Sequence, residues 1–337
     1  MAEPDKTDEL VSVLLFSYNQ GQFLREALES ALSQTWQPLE VVVVDNGSTD
    51  DSRSVLEDFA DDPRIILRLH DRNGPITARM NEAVRIARGD WVSFLFSDDL
   101  YRPEKIADQV RAARAAATPP GVVYAPTIVE DVRTGATSVS PSVAASGCIF
   151  EDLMLRHFAG PIEMIAALIR RQALVEHPFH EDLFTEGEGI FFRLALYAPF
   201  LFVDRPLAVS RYHSWNMGKA VVRNRDWLLR MHDKLRSEPG LEGPMAPLVD
   251  IHEALILRSC AWQGARLGID RDWVRNCLRR AAARDPRSLS HPQAAAAAAL
   301  ALVPPPLAAL INRVGDRLAP DRHRMVVDDY GGISDGR

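Results

Sequence analysis

The chain has 337 residues, a formal net charge of −7, 47% hydrophobic residues and 25% charged residues. This ordinary globular composition fits about two domains and excludes a disordered, collagen-like or multi-span membrane chain. Three cysteines, Cys148, Cys260 and Cys277, are too few and too widely spaced for a disulfide scaffold or a metal pattern, so a reducing, cytoplasmic setting is expected. The acidic balance argues against a nucleic-acid partner held by bulk charge. Met1 to Asp8 has no basic segment followed by an apolar one, so no secretory signal is expected.

Charge is uneven along the chain. Between Arg271 and Arg324 there are ten Arg and four Asp, with no Lys or Glu. The same region holds the alanine-rich stretch Ala294 to Ile311, broken by Pro304, Pro305 and Pro306 and too interrupted to span a bilayer. Residues 271–324 are therefore a candidate for peripheral contact with an anionic membrane at its inner face; a solvated helical tail is the plainer reading.

Hydrophobic periodicity predicts alternating elements over the first hundred residues. Ser12 to Phe16 is a short apolar run, hence a buried strand. GQFLREALESALSQT puts Phe23, Leu24, Ala27, Leu28, Ala31 and Leu32 on one helical face. Glu40 to Val44 is a second buried strand, ending at Asp45 and the turn Asn46-Gly47-Ser48-Thr49-Asp50. Val55, Leu56 and Phe59 mark a second helix. Arg64 to Leu69 is a third strand, Gly74-Pro75 opens a helix through Ala87, and Trp91 to Phe96 is a fourth strand ending at Ser97-Asp98-Asp99. This β-α-β-α-β-α-β order calls for a mainly parallel, Rossmann-like α/β sheet with helices on both faces. Ligands of such sheets bind beyond the carboxyl ends of the strands, where Tyr18-Asn19, Asp45-Asn46, Asn73 and Ser97-Asp98-Asp99 all fall.

A helix is expected from Pro103 to Ala117, strands at Val122 to Glu130, Thr137 to Val139, Ile165 to Ile169 and Leu201 to Val203, and a helix at Glu188 to Leu196. From about Asn224 the pattern is mostly helical. No G-x-G-x-x-G follows the first strand, and no phosphate-binding G-x-x-x-x-G-K-[ST] or G-x-S-x-G elbow is present. Adjacent carboxylates at Asp98 and Asp99 suit a hard cation that completes its shell with phosphate oxygens and water, although helix capping alone would also explain them.

VSVLLFSYNQGQFLREALESALSQTW, EVVVVDNGSTDDS and NGPITARMNEAVRIARGDWVSFLFSDDLYRPEKI together resemble the family 2 glycosyltransferases of the GT-A fold, closely over residues 10–115 and more loosely to about 218. The resemblance implies a domain at 1–220, with a nucleotide-sugar half at 1–118 and an acceptor half at 119–220, followed by a helical region at 221–337. It implies an inverting transfer from a nucleoside-diphosphate sugar, UDP-sugars favoured, to a glycan or lipid-linked glycan in bacterial surface polysaccharide synthesis. Phe16 and Tyr18 then lie where the base is cradled, Asp45 where an aspartate bonds it, and Asn46 where a second aspartate is common. Arg79 and Ser97 join the donor site. Asp98, with His213 of SRYHSWNMGK, would hold Mg²⁺ or Mn²⁺, and Arg211 would help close the site.

The chain departs from the family at three of these positions. Phe96 replaces the first aspartate of the usual D-[SA]-D-D, Asn46 replaces an aspartate, and Gly187 falls where the catalytic aspartate is expected. Glu186 and Glu188 remain as candidate bases; as residues alone, both equally suit carboxylates at a helix start. A catalytically impaired glycosyltransferase-like module that binds a nucleotide sugar or glycan is the alternative. A second copy of the chain is a further candidate partner for the helical region.

Overall fold

A computed structural model describes residues 9–156, 159–183, 186–213, 230–266, 270–303 and 307. The chain divides into two compact units: residues 1–213 with 233–245, and residues 214–232 with 246–337.

The first unit is α/β. Its large sheet has the order β10-β6-β9-β4-β1-β2-β3. The strands are β1 (Val11–Ser17), β2 (Leu39–Asp45), β3 (Ile65–Leu69), β4 (Trp91–Phe96), β6 (Val122–Tyr124), β9 (Ala167–Arg170) and β10 (Phe200–Phe202). All run in one direction except β9, which pairs antiparallel to both β4 and β6. β1 and β2 are apolar almost throughout because both of their faces are covered. Val11, Val13, Leu15, Val41, Val43 and Leu95 pack with helices α1 (Gly21–Leu32) and α4 (Lys105–Ala115). The alternate residues Leu14, Val42, Val44, Val92 and Phe94 point to the other face and are equally buried. Helix α3 (Ile76–Ile86) touches β1 and β2 there and buries Met80, Ala83 and Val84.

A second sheet has the order β5-β11-β7-β8, from Leu100–Tyr101, Ala208–Tyr212, Thr127–Asp131 and Thr137–Val139. The expected strand at Val122 to Glu130 is two strands in different sheets. Pro126, which has no amide to donate, lies at the break. The expected strand at 165–169 begins as a 3₁₀ turn, Met164–Ala166, before β9. β5 and β11, and the short helices α2 (Ser52–Glu57), α5 (Phe150–Leu155), α6 (Arg171–Glu176) and α7 (Gly189–Leu194), complete the unit. β5 and β11 are too brief, or too mixed in polarity, for a periodic signal.

Lys105 is fully buried under β4. Its ammonium donates to Ser93 Oγ at 2.7 Å, Gln109 Oε1 at 2.9 Å and Ala167 O at 3.3 Å, and lies 4.4 Å from the Tyr101 ring centroid. Tyr101 Oη donates to Phe94 O at 2.6 Å. This network ties α4 to the edge of β4 and the start of β9.

The second unit contains helices Ala246–Arg266, Arg271–Arg284 and Pro292–Leu302, which share an apolar cluster around Leu257, Val274 and Ala297. Several arginines of the basic segment are engaged within it. Arg280 and Arg284 pair with buried Glu253 at 2.7 and 2.9 Å, and Arg275 and Arg287 pair with Asp272 and Asp285 at 3.1 and 2.9 Å. Residues 308–324 of that segment lie outside the described residues. Among the described residues no helix is long and apolar enough to cross a membrane.

Burial pushes the Lys105 ammonium well below its ordinary value of 10.5. Over the interval between its folded value and 10.5 the unfolded chain binds the extra proton, so this contribution to stability must rise with pH. Denaturant unfolding from pH 7 to pH 10 should show an upward slope for the wild type, at most about 1.4 kcal/mol per pH unit. That component should be absent in Lys105→Met; an unchanged slope would refute the assignment.

Candidate functional site at the carboxyl rim of the sheet

β1, β2 and β4 stop level. Ser17 is in register with Asp45, and Phe16 with Phe96. The ladder continues for one more bond on each side, from Asn46 N to Ser17 O at 2.9 Å and from Ser97 N to Phe16 O at 3.0 Å. The loops beyond these strands therefore share one rim, which brings Tyr18, Asp45, Asn46, Ser97 and Asp98 together.

On the β2 side, Asp45 is fully buried. Its carboxylate accepts from Ser48 N at 3.0 Å and from the Ser48 hydroxyl, and Arg53 Nε lies 3.7 Å away. Ser48 Oγ also accepts from Asn19 N at 3.0 Å, and Asn19 Oδ1 accepts from Thr49 N at 2.7 Å. The β1 and β2 loops are thus bonded to each other. Gly47 has φ +83°, and a Cβ there would meet the Arg72 backbone at 2.5 Å; glycine is what lets the loop after β3 approach.

Asn46 uses its whole amide. Nδ2 donates to Asn73 Oδ1 at 2.7 Å and Gly74 O at 2.9 Å; Oδ1 accepts from Gly74 N at 3.0 Å and Arg79 Nε at 2.8 Å. An aspartate would face two acceptors without a proton to give, which accounts physically for asparagine here. Tyr18 is 43% exposed at this rim. Phe16 is buried beneath it, with its ring centroid 6.0 Å from Phe94 and 6.2 Å from Phe96.

On the β4 side, buried Ser97 donates to Gln20 Oε1 at 2.8 Å, and Gln20 Nε2 lies 3.4 Å from Asp98 Oδ2. His213 Nε2 is 3.0 Å from the same carboxylate oxygen. His213 follows β11, which antiparallel pairing with β5 holds beside the Asp98-Asp99 turn. Buried Asp99 accepts from Arg211 N at 3.0 Å. Burial, reinforced by the Asp98 charge, pushes the Asp99 carboxyl well above the usual carboxylate range. Among the described residues no group of three His, Cys, Asp or Glu is placed to hold a metal. A carboxylate and an imidazole within 3.0 Å, at the end of parallel strands, nevertheless fit a cation whose remaining ligands are phosphate oxygens and water.

The two candidate bases differ. Glu186 is buried and bonded at both oxygens, to Arg193 Nη1 at 2.7 Å and His180 N at 2.8 Å. Arg193 also pairs with Glu238 at 2.6 Å, so Glu186 serves an internal ion-pair network. Gly187 has φ +50°, a conformation in which a side chain is strained. Glu188 precedes α7 and lines a small cavity with Val143, Leu153, Pro161, Ile162, Phe191 and Phe192. Burial there, with a smaller push from Glu163, raises its carboxyl to about 7. Glu163 is itself raised by burial and accepts from Ser140 Oγ at 3.2 Å. Gln20 and Glu163 are site residues that the sequence did not single out: Gln20 directly follows the Tyr18-Asn19 cluster, and Glu163 carries no pattern of its own.

Residues 12–174 match the sequence model of Glycosyl transferase family 2, so this part of the chain carries a family 2 glycosyltransferase domain. It is 36% identical over 102 residues to the Escherichia coli UDP-Glc:alpha-D-GlcNAc-diphosphoundecaprenol beta-1,3-glucosyltransferase WfaP, covering 30% of this chain and 40% of that protein. The chain spans less than half the length of the curated relatives it matches. Among solved structures it resembles S. aureus TarS 1-349 in complex with UDP-GlcNAc, with a TM-score of 0.64, 20% identity and 83% of each chain covered. It also resembles the mannosyltransferase PcManGT from Pyrobaculum calidifontis in complex with GDP-Man and Mn2+, with a TM-score of 0.58, 20% identity, and 94% and 89% covered. The fold is that of these GT-A enzymes.

Glu186→Ala would take from the buried Arg193 one of its two carboxylate partners, leaving Glu238 and the Pro178 carbonyl. A loss of about 3 kcal/mol is expected in denaturant unfolding, the lower end of the cost of breaking a buried pair. Loss of activity with unchanged stability would instead return Glu186 to the chemistry.

Proposed function

We propose that the chain is a divalent-metal-dependent, inverting glycosyltransferase that uses a nucleoside-diphosphate sugar, with UDP-sugars the favoured donors. The observation that carries this reading is the Asp98–His213 pair, 3.0 Å apart, on the rim that also holds Tyr18 and the Asn46–Arg79 cluster. Tyr18 offers an exposed ring for the base, with Asp45 organising the loop beneath it. Arg79, pinned by Asn46, offers a guanidinium to phosphate. Asp98 and His213 would hold Mg²⁺ or Mn²⁺, which neutralises charge on the departing diphosphate.

In this reading Glu188 takes the proton of the acceptor hydroxyl. The acceptor oxygen forms its bond to the anomeric carbon as the bond from that carbon to the diphosphate oxygen breaks, and the nucleoside diphosphate leaves with that electron pair. A carboxyl near 7 is half ionised at neutral pH, which suits a general base. Glu188 is two residues beyond Glu186 and adjacent to Gly187, and its extra methylene lengthens its reach beyond that of an aspartate. The acceptor is proposed to be a glycan or lipid-linked glycan of surface polysaccharide. Support comes from the WfaP relative, whose name gives a diphosphoundecaprenol-linked sugar as its acceptor. A cytoplasmic location is consistent with three free cysteines.

Release of UDP from UDP-sugars with Mn²⁺ present should be detectable and abolished by chelator. Glu188→Gln should lower kcat at least about 100-fold with little change in donor binding. The acid limb of the wild-type rate should rise through about pH 7 as Glu188 loses its proton. Donor binding with no turnover on any glycan acceptor would favour the impaired binding module, and full activity of Glu188→Gln would remove it as the base.

A further inference from the structure

Asp98 and His213 come from segments 115 residues apart, yet their side chains meet within 3.0 Å. One buried residue spans the distance between them. Arg211, whose side chain is 6% exposed, donates its backbone N–H to Asp99 Oδ1 at 3.0 Å and its Nε–H to Asp98 O at 2.5 Å. Its Nη1 pairs with Glu26, and its Nη2 donates to Phe23 O at 3.4 Å. The guanidinium lies 4.8 Å from the Phe23 ring centroid. The His213 imidazole stacks on that same ring, with centroids 5.2 Å apart and an angle of 24° between the planes.

The planar fork therefore fixes the backbone of the Asp98-Asp99 turn. Phe23 fixes the histidine two residues further along the chain from Arg211. Helix α1 provides both anchors. We propose that Arg211, held by Glu26 and Phe23, is the positioning residue that sets the divalent-cation affinity of the Asp98–His213 pair. This rests on the metal reading given above. Two physical effects act in the same direction. Loss of the fork frees the turn, so that binding must then order it. Loss of Glu26 removes a carboxylate paired with the arginine and so raises the positive potential met by an incoming cation. Glu26 is exposed at 62% of its side chain and stands outside the metal pair, so its replacement probes the second effect without touching a ligand.

The test is Mn²⁺ titration of the full chain, followed by electron paramagnetic resonance of the free ion, together with thermal unfolding and metal-free UDP binding. Arg211→Lys keeps the charge but not the fork and should weaken Mn²⁺ binding about tenfold, the lower end of what residues supporting metal ligands contribute. Glu26→Gln should weaken it about threefold, an effect that disappears at high salt. Metal-free UDP binding should be unchanged in both; a purely structural role would lower Tm and leave the Mn²⁺ affinity of the folded protein alone. Wild-type Mn²⁺ affinity in both variants, with binding lost in Asp98→Ala, would overturn the positioning role but keep the metal site. Absence of Mn²⁺ binding by the wild type, with or without UDP, would overturn both. If Arg211→Lys fails to fold, Glu26→Gln decides.

Discussion

The level ending of β1, β2 and β4 is the constraint on which the rest of the site depends. Strands buried on both faces have no place for a working polar side chain along their length. Such side chains are accommodated only where the ladder stops. Parallel pairing in a fixed register makes three neighbouring strands stop together, so residues far apart in sequence meet without a dedicated scaffold. The backbone groups at this edge are largely consumed by Asn46 N to Ser17 O, Ser97 N to Phe16 O and His70 N to Asp45 O. Side chains are left to face the rim.

The three departures from the family pattern each have a local physical account. Phe96 continues an aromatic layer with Phe16 and Phe94, so a position that is often acidic contributes to the core. Asn46 both gives and accepts, which lets it close the loops after β2 and β3 around Arg79. Gly187 adopts φ +50°, and the exposed turn it makes delivers Glu188 to the start of α7. The last of these changes which carboxylate is available. Glu186 is committed to Arg193, whereas Glu188 stands against an apolar cavity.

The amino half of the fold was legible because its strands are uninterrupted apolar runs and its helices have one clear face. β1, α1, β2, α3 and β4 follow that logic, whereas β3 is interrupted by Arg68 and partly exposed, and α2 ends at Glu57, short of Phe59. Legibility fell where local signals compete. Pro126 splits one apolar run between two sheets, and β11 reads as mixed polarity because only part of it is buried. At the site, Asp98 and Asn46 announced themselves by standing at strand ends. The difference between Glu186 and Glu188 did not, because ion pairing with Arg193 and the walls of a cavity are set by tertiary contacts. Glu163 was silent for the same reason, and the division of the chain near 213 depends on contacts that no local pattern encodes.

Charge at Asp99, Glu163 and Glu188 is managed by burial more than by pairing. Asp99, Glu163 and Glu188 are all pushed toward their neutral forms, and in each the leading cause is removal from water. For Glu188 the Glu163 charge is the smaller contribution. The walls formed by Ile162, Phe191 and Phe192 therefore control its proton affinity more than its acidic neighbour does. A group raised by a neighbour's charge falls back when a cation or salt screens that neighbour. A group raised by desolvation keeps its value as long as water stays out. In the proposed reading this distinction separates two opposite tasks: Asp98 would face a cation, while Glu188 keeps a proton affinity near neutrality behind an apolar wall.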